Sequence, residues 1–204
     1  KTVDRNKSMS TEQLQAMDAE MAKDPQSDIY WLQRFTGARL QEIAGLRKCD
    51  FLIKNDYKCI AIQPHEGRGL GTNGQSGGLK TSNSLRFVPL PSCLDGLWKR
   101  LQAQTDEPAF TRTSKERTWG ENYRRRQRDA SIRLKLPTGT HAFRDTIHQA
   151  LIDDGAHPDV VKMITGKKLS ISDYLHANLN NMKETIERYA EIRPMAISQE
   201  EHLS

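Results

Sequence analysis

Two short strand-like runs meet at a tight turn near the first quarter of the chain, and they limit the fold more than any other feature. Cys49 to Lys54 and Lys58 to Gln63 read as strands around the turn Asn55-Asp56, and Ser84 to Pro89 reads as a third. Together they predict a small antiparallel sheet. The glycine-rich stretch between the second and third strands, Pro64 to Gly78, reads as a long, mobile hairpin loop. Almost everything else has helical spacing. Ser10 and Gln13 form a capping-box pattern ahead of Leu14, Met17 and Met21, predicting a helix to about Asp24, before Pro25. A second helix from Ser27 turns Ile29, Trp31, Leu32 and Phe35 toward a core. Beyond Pro91, Leu94, Leu97, Trp98 and Leu101 share one side, and Trp119 to Leu134 reads as a strongly basic helix. A helix from Thr140 or His141 to about Asp154 ends at Gly155, and Pro158 opens a short one that stops near Gly166. Ile171 to Ala177 and Asn180 to Ala190 are the last two predicted helices, with a loose tail from Arg193. The expected class is therefore mainly α with a small three-stranded antiparallel sheet, carried on residues 1–192, with 193–204 as the tail.

Composition narrows the setting. No apolar run approaches the roughly 20 residues of a membrane span, and the N-terminus lacks a signal-peptide stretch, so a cytoplasmic protein is expected. Cys49, Cys59 and Cys93 have no CxxC spacing and read as reduced cysteines that bind no metal. The chain starts at Lys1 without methionine, which suits a fragment whose N-terminal partner domain has been removed. The net charge is +5, but nine basic residues against three acidic ones between Arg112 and Lys135 give +6 in that segment alone. Glu12, Asp18, Glu20, Asp24 and Asp28, by contrast, face only Lys23 in the first helical stretch. This asymmetry points to a face presented to a polyanion.

Several patterns suggest other chemistry and fail on context. Gly69-Leu70-Gly71-Thr72-Asn73-Gly74 is a literal GxGxxG, but more glycine and then a strand follow it, where a dinucleotide site needs a helix. Asp153-Asp154 beside Gly155 reads as a solvated helix end. His65, His148, His157 and His202 have no partners at ligand spacing. Neither a cofactor nor a metal is expected.

Four local patterns in one order carry the functional reading. Thr36-Gly37-Ala38-Arg39-Leu40-Gln41-Glu42-Ile43 comes first, then Leu79-Lys80-Thr81 leading into Arg86-Phe87-Val88-Pro89-Leu90. His141-Ala142-Phe143-Arg144 opens a helix, and Gly166-Lys167 precedes Tyr174-Leu175-His176. This order resembles the tyrosine recombinase, or phage integrase, family over nearly the whole chain. The spacing is the most specific part, since Arg144 is followed after 11 residues by Gly155 and after 23 by Lys167, itself preceded by glycine. Lone arginines and lysines are usually solvated surface residues; the ordered set argues otherwise.

The resemblance implies a site-specific recombinase that cuts and rejoins duplex DNA through a 3′-phosphotyrosine, with no metal, nucleotide or other cofactor. It implies integration or excision of a mobile element, and a homo-tetramer on DNA. Arg39 and Arg144 would clamp the phosphate, where charge develops during attack. Residues three apart share a helix face, so Glu42 would buttress Arg39, and His141 would lie beside Arg144 and orient the tyrosine proton. Lys80 would protonate the leaving 5′ oxygen from its hairpin. Tyr174 is the expected nucleophile; Tyr189, in a locally similar segment fifteen residues on, is the alternative. Arg124, Arg125 and Arg128 would contact DNA phosphates. Lys167 stands where the family has histidine or tryptophan, and the interval from Gly166 to Tyr174 is shorter than usual. The alternatives are a catalytically silent DNA-binding regulator of the same fold and a telomere resolvase or type IB topoisomerase with the same chemistry.

Overall fold

The structure, a computed structural model, describes residues 8–63, 85–104, 109–110, 120–137, 139, 141–167 and 178–196. Helix α1 (Thr11–Met21) starts with the predicted capping box, because the Ser10 hydroxyl accepts from the Gln13 N–H and the Gln13 side chain accepts from the Ser10 N–H. It ends at Met21, short of the expected Asp24, whose carboxylate instead accepts from the Gln26 N–H. Helix α2 (Ser27–Thr36) is buried on every side from Ile29 onward, which makes it the central strut of the core. Its burial includes Arg34, which pairs with Asp18 of α1 at 3.1 Å. Tyr30 donates its hydroxyl hydrogen to the same carboxylate.

The sheet has the order β1 (Phe51–Lys54), β2 (Tyr57–Ile62), β3 (Arg86–Pro89), and both pairings are antiparallel. Asn55 (φ 48°) and Asp56 (φ 64°) are both left-handed, the conformation that matches a two-residue turn to strand twist. Strand β1 begins two residues later than expected, because Lys48–Asp50 forms a 3-10 turn in which the Arg47 N–H donates to Asp50 at 2.8 Å. Phe51 opposite Ile60 and Ile60 opposite Val88 set one buried face, and the same register places Arg86 opposite Ile62. The glycine-rich loop lies outside the described residues.

Helix α3 (Leu40–Ala44) is a single turn after α2. The C-terminal half consists of α4 (Asp95–Ala103), α5 (Glu121–Arg133), α6 (His141–Asp153), α7 (Pro158–Thr165) and α8 (Leu179–Ile192). Gly155 (φ 86°) and Gly166 (φ 67°) close α6 and α7 in left-handed conformations, as predicted. Helix α8 packs on α7, β3, α2 and α6, burying Met182, Ile186 and Tyr189. The predicted helix Ile171 to Ala177 lies outside the described residues. The expected loose tail is tied to the core through Ala196. Arg34 donates to the Arg193 carbonyl at 3.0 Å, and Asp18 accepts from the Ala196 N–H at 3.3 Å. Among the described residues, no helix is long and apolar enough to cross a membrane. The architecture is thus mostly helical with one three-stranded antiparallel sheet, as expected.

Candidate active site

The site forms where the end of α2 meets the start of α6. Gly37 ends α2 in a left-handed turn (φ 62°), and a β-carbon there would lie 2.5 Å from Ile147 Cγ2 and 3.3 Å from Arg144 Cα. Glycine is therefore required both for the turn and for the close approach of α6. The approach brings the Gly37 carbonyl to Arg144, whose Nε donates to it at 2.9 Å.

The turn delivers Arg39 to the first position before α3. Its backbone N–H donates to Glu42 Oε2 at 2.8 Å and its Nη1 to Glu42 Oε1 at 2.8 Å. The expected Arg39–Glu42 pair is present, but Arg39 caps α3 from an extended conformation and Glu42 reaches back around the helix end. The pairing follows capping geometry, not a shared helix face.

Two further arginines converge on the same carboxylate. Arg86, fully buried at the start of β3, donates Nη2 to Glu42 Oε2 at 3.0 Å, and Arg144 Nη2 stands 3.7 Å from that oxygen. Burial alone would raise the Glu42 carboxyl. The charge and hydrogen bond of Arg86, followed by the charges of Arg144 and Arg39, instead lower it to about 2. Arg144 shows the other side of this balance. Burial lowers its pKa, Glu42 raises it, and Arg39 and Arg86 lower it again, to about 10. Three guanidiniums thus share one carboxylate. Arg144 Nη2 is buried without a hydrogen-bond partner among the described residues. The positive charge of the three guanidiniums exceeds the negative charge of the one carboxylate, an excess that can attract an anion.

Arg86 was not legible as part of this cluster beforehand. The available signal was its alternation with Val88, which puts both on the buried side of β3. Gly166 rests on it, since a β-carbon there would fall 2.5 Å from Arg86 Cζ. This contact places Lys167, the next residue, at the edge of the cluster. Lys167 Nζ lies 3.2 Å from Asp145 Oδ1, and Asp145 directly follows Arg144. His141 is exposed on the first turn of α6, one turn before the buried Arg144, so the two share a helix but differ in environment.

The structure therefore brings together Arg39, Glu42 and Arg144, adds Arg86, and sets Lys167 beside them. Lys80 and Tyr174 lie outside the described residues. Tyr189 is buried among Arg34, Phe35 and Asp18, and its hydroxyl accepts from Arg34 Nη1 at 2.9 Å. Burial raises its pKa, which opposes formation of a nucleophilic phenolate.

The basic helix α5 also differs from the sequence picture. Arg126 is clamped by Asp24 at 2.6 Å and by Gln26, and Arg133 pairs with Glu20. The acidic first helical stretch and basic α5, separate in sequence, partly neutralise each other in space. Arg124, Arg125 and Arg128 remain exposed, Arg128 with Asp129 at 3.4 Å.

The mostly helical architecture with its three-stranded antiparallel sheet has the fold of a tyrosine recombinase catalytic domain. Among solved structures, the chain is similar to the XerH site-specific recombinase bound to difH substrate in a pre-cleavage complex, with a TM-score of 0.55 and 17% identity over 92% of this chain. It is also similar to the integrase of transposon Tn1549 in complex with a circular intermediate DNA, with a TM-score of 0.58 and 16% identity over 93% of this chain. The chain spans 52% of the XerH chain and 67% of the Tn1549 integrase chain. No family model and no curated protein matches the sequence.

Proposed function

We propose that this chain is the catalytic domain of a site-specific recombinase that cleaves and rejoins duplex DNA through a 3′-phosphotyrosine, for integration or excision of a mobile element. One observation carries the reading most directly: Arg39, Arg86 and Arg144 surround the single carboxylate of Glu42, and Arg144 Nη2 has no hydrogen-bond partner among the described residues. That surplus positive charge suits a phosphodiester whose non-bridging oxygens gain charge during attack.

In this mechanism the Tyr174 oxygen attacks the scissile phosphorus, forming the phosphotyrosine bond as the bond to the 5′ oxygen breaks. Arg39 and Arg144 hold the non-bridging oxygens, and His141 orients or accepts the tyrosine proton. Lys167 donates to a phosphate oxygen as a point charge on a flexible stem. Lys80 gives a proton to the departing 5′ oxygen, and reversal of these steps on a new 5′ hydroxyl rejoins the strand. The phosphotyrosine conserves the bond energy, so rejoining needs no nucleotide, and the guanidiniums supply the charge stabilisation that a metal would otherwise give. Arg124, Arg125 and Arg128 contact the DNA backbone. Four copies act together on two duplexes in the cytoplasm.

A duplex nicked beside the scissile phosphate traps the covalent intermediate. Tyr174→Phe removes the adduct and leaves DNA binding intact, and Lys80→Ala slows cleavage of ordinary DNA far more than of DNA with a sulfur leaving group. An adduct that survives Tyr174→Phe but not Tyr189→Phe assigns the nucleophile to α8. Lys167, in place of histidine or tryptophan, favours a second reading as a silent DNA-binding regulator. A parent chain that binds its site and never forms an adduct supports that reading.

A further inference from the structure

We propose that Asp145 is a positioning residue for Lys167, and that the two side chains act on the scissile phosphate as one charge-balanced unit; this rests on the recombinase reading above.

The backbone of Lys167 is fixed before its side chain is considered. The Gly166 N–H donates to the Lys162 carbonyl at 2.7 Å and the Lys167 N–H donates to the same oxygen at 3.2 Å, closing α7. Gly166 is pressed onto the Arg86 guanidinium, so this turn is registered directly against the arginine cluster. The lysine stem then leaves from a fixed point, but four rotatable bonds would still scatter its ammonium. Asp145 removes that freedom. Its Oδ1 holds Nζ at 3.2 Å, and its own backbone is set by α6, where the preceding residue is Arg144. Both side chains are partly accessible, 38% for Lys167 and 28% for Asp145, so an anion entering from solvent can reach the ammonium. Among the described residues, Lys162 near this pair is occupied by Asp159 at 3.2 Å.

The pairing also explains how a carboxylate is tolerated beside an anion site. Asp145 sits next to Arg144 in sequence and its charge reaches the Arg144 guanidinium. Unbalanced, it would repel a phosphate; with Lys167 in place, its charge is neutralised and the ammonium is aimed. The two residues should therefore couple with a definite sign. Losing Asp145 leaves a wandering but helpful cation. Losing Lys167 leaves a carboxylate facing the phosphate, which is worse than losing both.

The test is single-turnover adduct formation on a nicked duplex carrying the protein's own site. Parent, Asp145→Asn, Lys167→Met and the double variant are compared, with melting curves to establish that each is folded. The expected result is a loss of about 10-fold for Asp145→Asn and about 100-fold for Lys167→Met, with the double variant recovering to about 30-fold below parent. Asp145→Glu should restore most of the loss. On a duplex with an uncharged methylphosphonate at the scissile position, the advantage of the double variant over Lys167→Met should disappear, because no phosphate charge remains to be repelled. Additive losses, or the same advantage on the uncharged substrate, overturn the inference while leaving the recombinase reading intact. A parent that forms no adduct overturns both.

Discussion

Glu42→Gln probes the centre of the site, because it removes the carboxylate charge on which three guanidiniums converge while keeping the shape of the side chain. Glutamine retains an oxygen for the Arg39 N–H, so the cap of α3 survives. What is lost is the compensation of Arg86, which is fully buried at 3.0 Å from Glu42, itself only 3% exposed. Breaking a buried ion pair from one side costs about 3–5 kcal/mol. Arg39 adds less because a quarter of its side chain is exposed, and Arg144 stands at 3.7 Å without a hydrogen bond to the carboxylate. The lowered pKa of Glu42 reflects the same interactions and agrees in direction. Its fall from 4.5 to about 2 corresponds to stabilisation on the order of 3 kcal/mol at neutral pH. A depressed carboxylate stabilises fully above its unfolded pKa of 4.5, and this contribution fades as pH falls toward 2. At about 2–4 °C per kcal/mol for a chain of this size, Glu42→Gln should lower Tm at neutral pH by on the order of 10 °C. Thermal melting followed by circular dichroism at a series of pH values checks both parts. The gap between parent and variant should narrow from pH 4.5 downward. A variant that melts within about 2 °C of the parent at neutral pH, or a gap unchanged at low pH, would refute the view that Glu42 is the buried counter-ion of the cluster.

Three further outcomes are expected. Gly166→Ala should cost more than about 2 kcal/mol, since left-handed strain of about 1–2 kcal/mol adds to the clash with Arg86, whereas Gly155→Ala meets nothing within 4 Å and should cost the strain alone. Equal Tm losses for the two would show that the Arg86 contact is unimportant. Tyr189→Phe should destabilise by about 1–3 kcal/mol in denaturant unfolding, because Arg34 loses a buried acceptor, and should leave any covalent adduct in place. Replacing Arg124, Arg125 and Arg128 with alanine should reduce the log–log salt slope of DNA binding by about 2 to 3, whereas replacing Arg126, which is clamped by Asp24, should lower Tm instead. An unchanged slope would place the DNA surface elsewhere on the molecule.

Local signals carried well into the fold. The Ser10 capping box, the glycine ends of α6 and α7, and Pro158 at the start of α7 are each decided by a few neighbouring residues. Their legibility reflects backbone preferences that act within one helical turn. The Arg39–Glu42 pair was legible for a reason that needed revising, because an i,i+3 spacing fits both a helix face and a cap. The charge map was the least transferable. Glu20 and Asp24 look like an isolated acidic stretch, yet α1 packs against α5 and they spend their charge on Arg133 and Arg126.

From the sequence alone came the sheet with its Asn55-Asp56 turn and the helical order, while the candidate residues Arg39, Glu42, His141, Arg144 and Lys167 came from the family resemblance. Hydrophobic period, turn chemistry and spacing are properties of contiguous residues, and they survive whatever the rest of the chain does. Tertiary structure decided which charges meet. Arg86 is 44 residues from Glu42 and Asp145 is 22 from Lys167, and nothing local to any of these side chains records its partner. Those contacts exist because β3 carries Arg86 beneath Gly166, and because Gly37 lets α6 approach the end of α2. Electrostatic partnership depends on distance in space and on exclusion of water, and only the packed core supplies both.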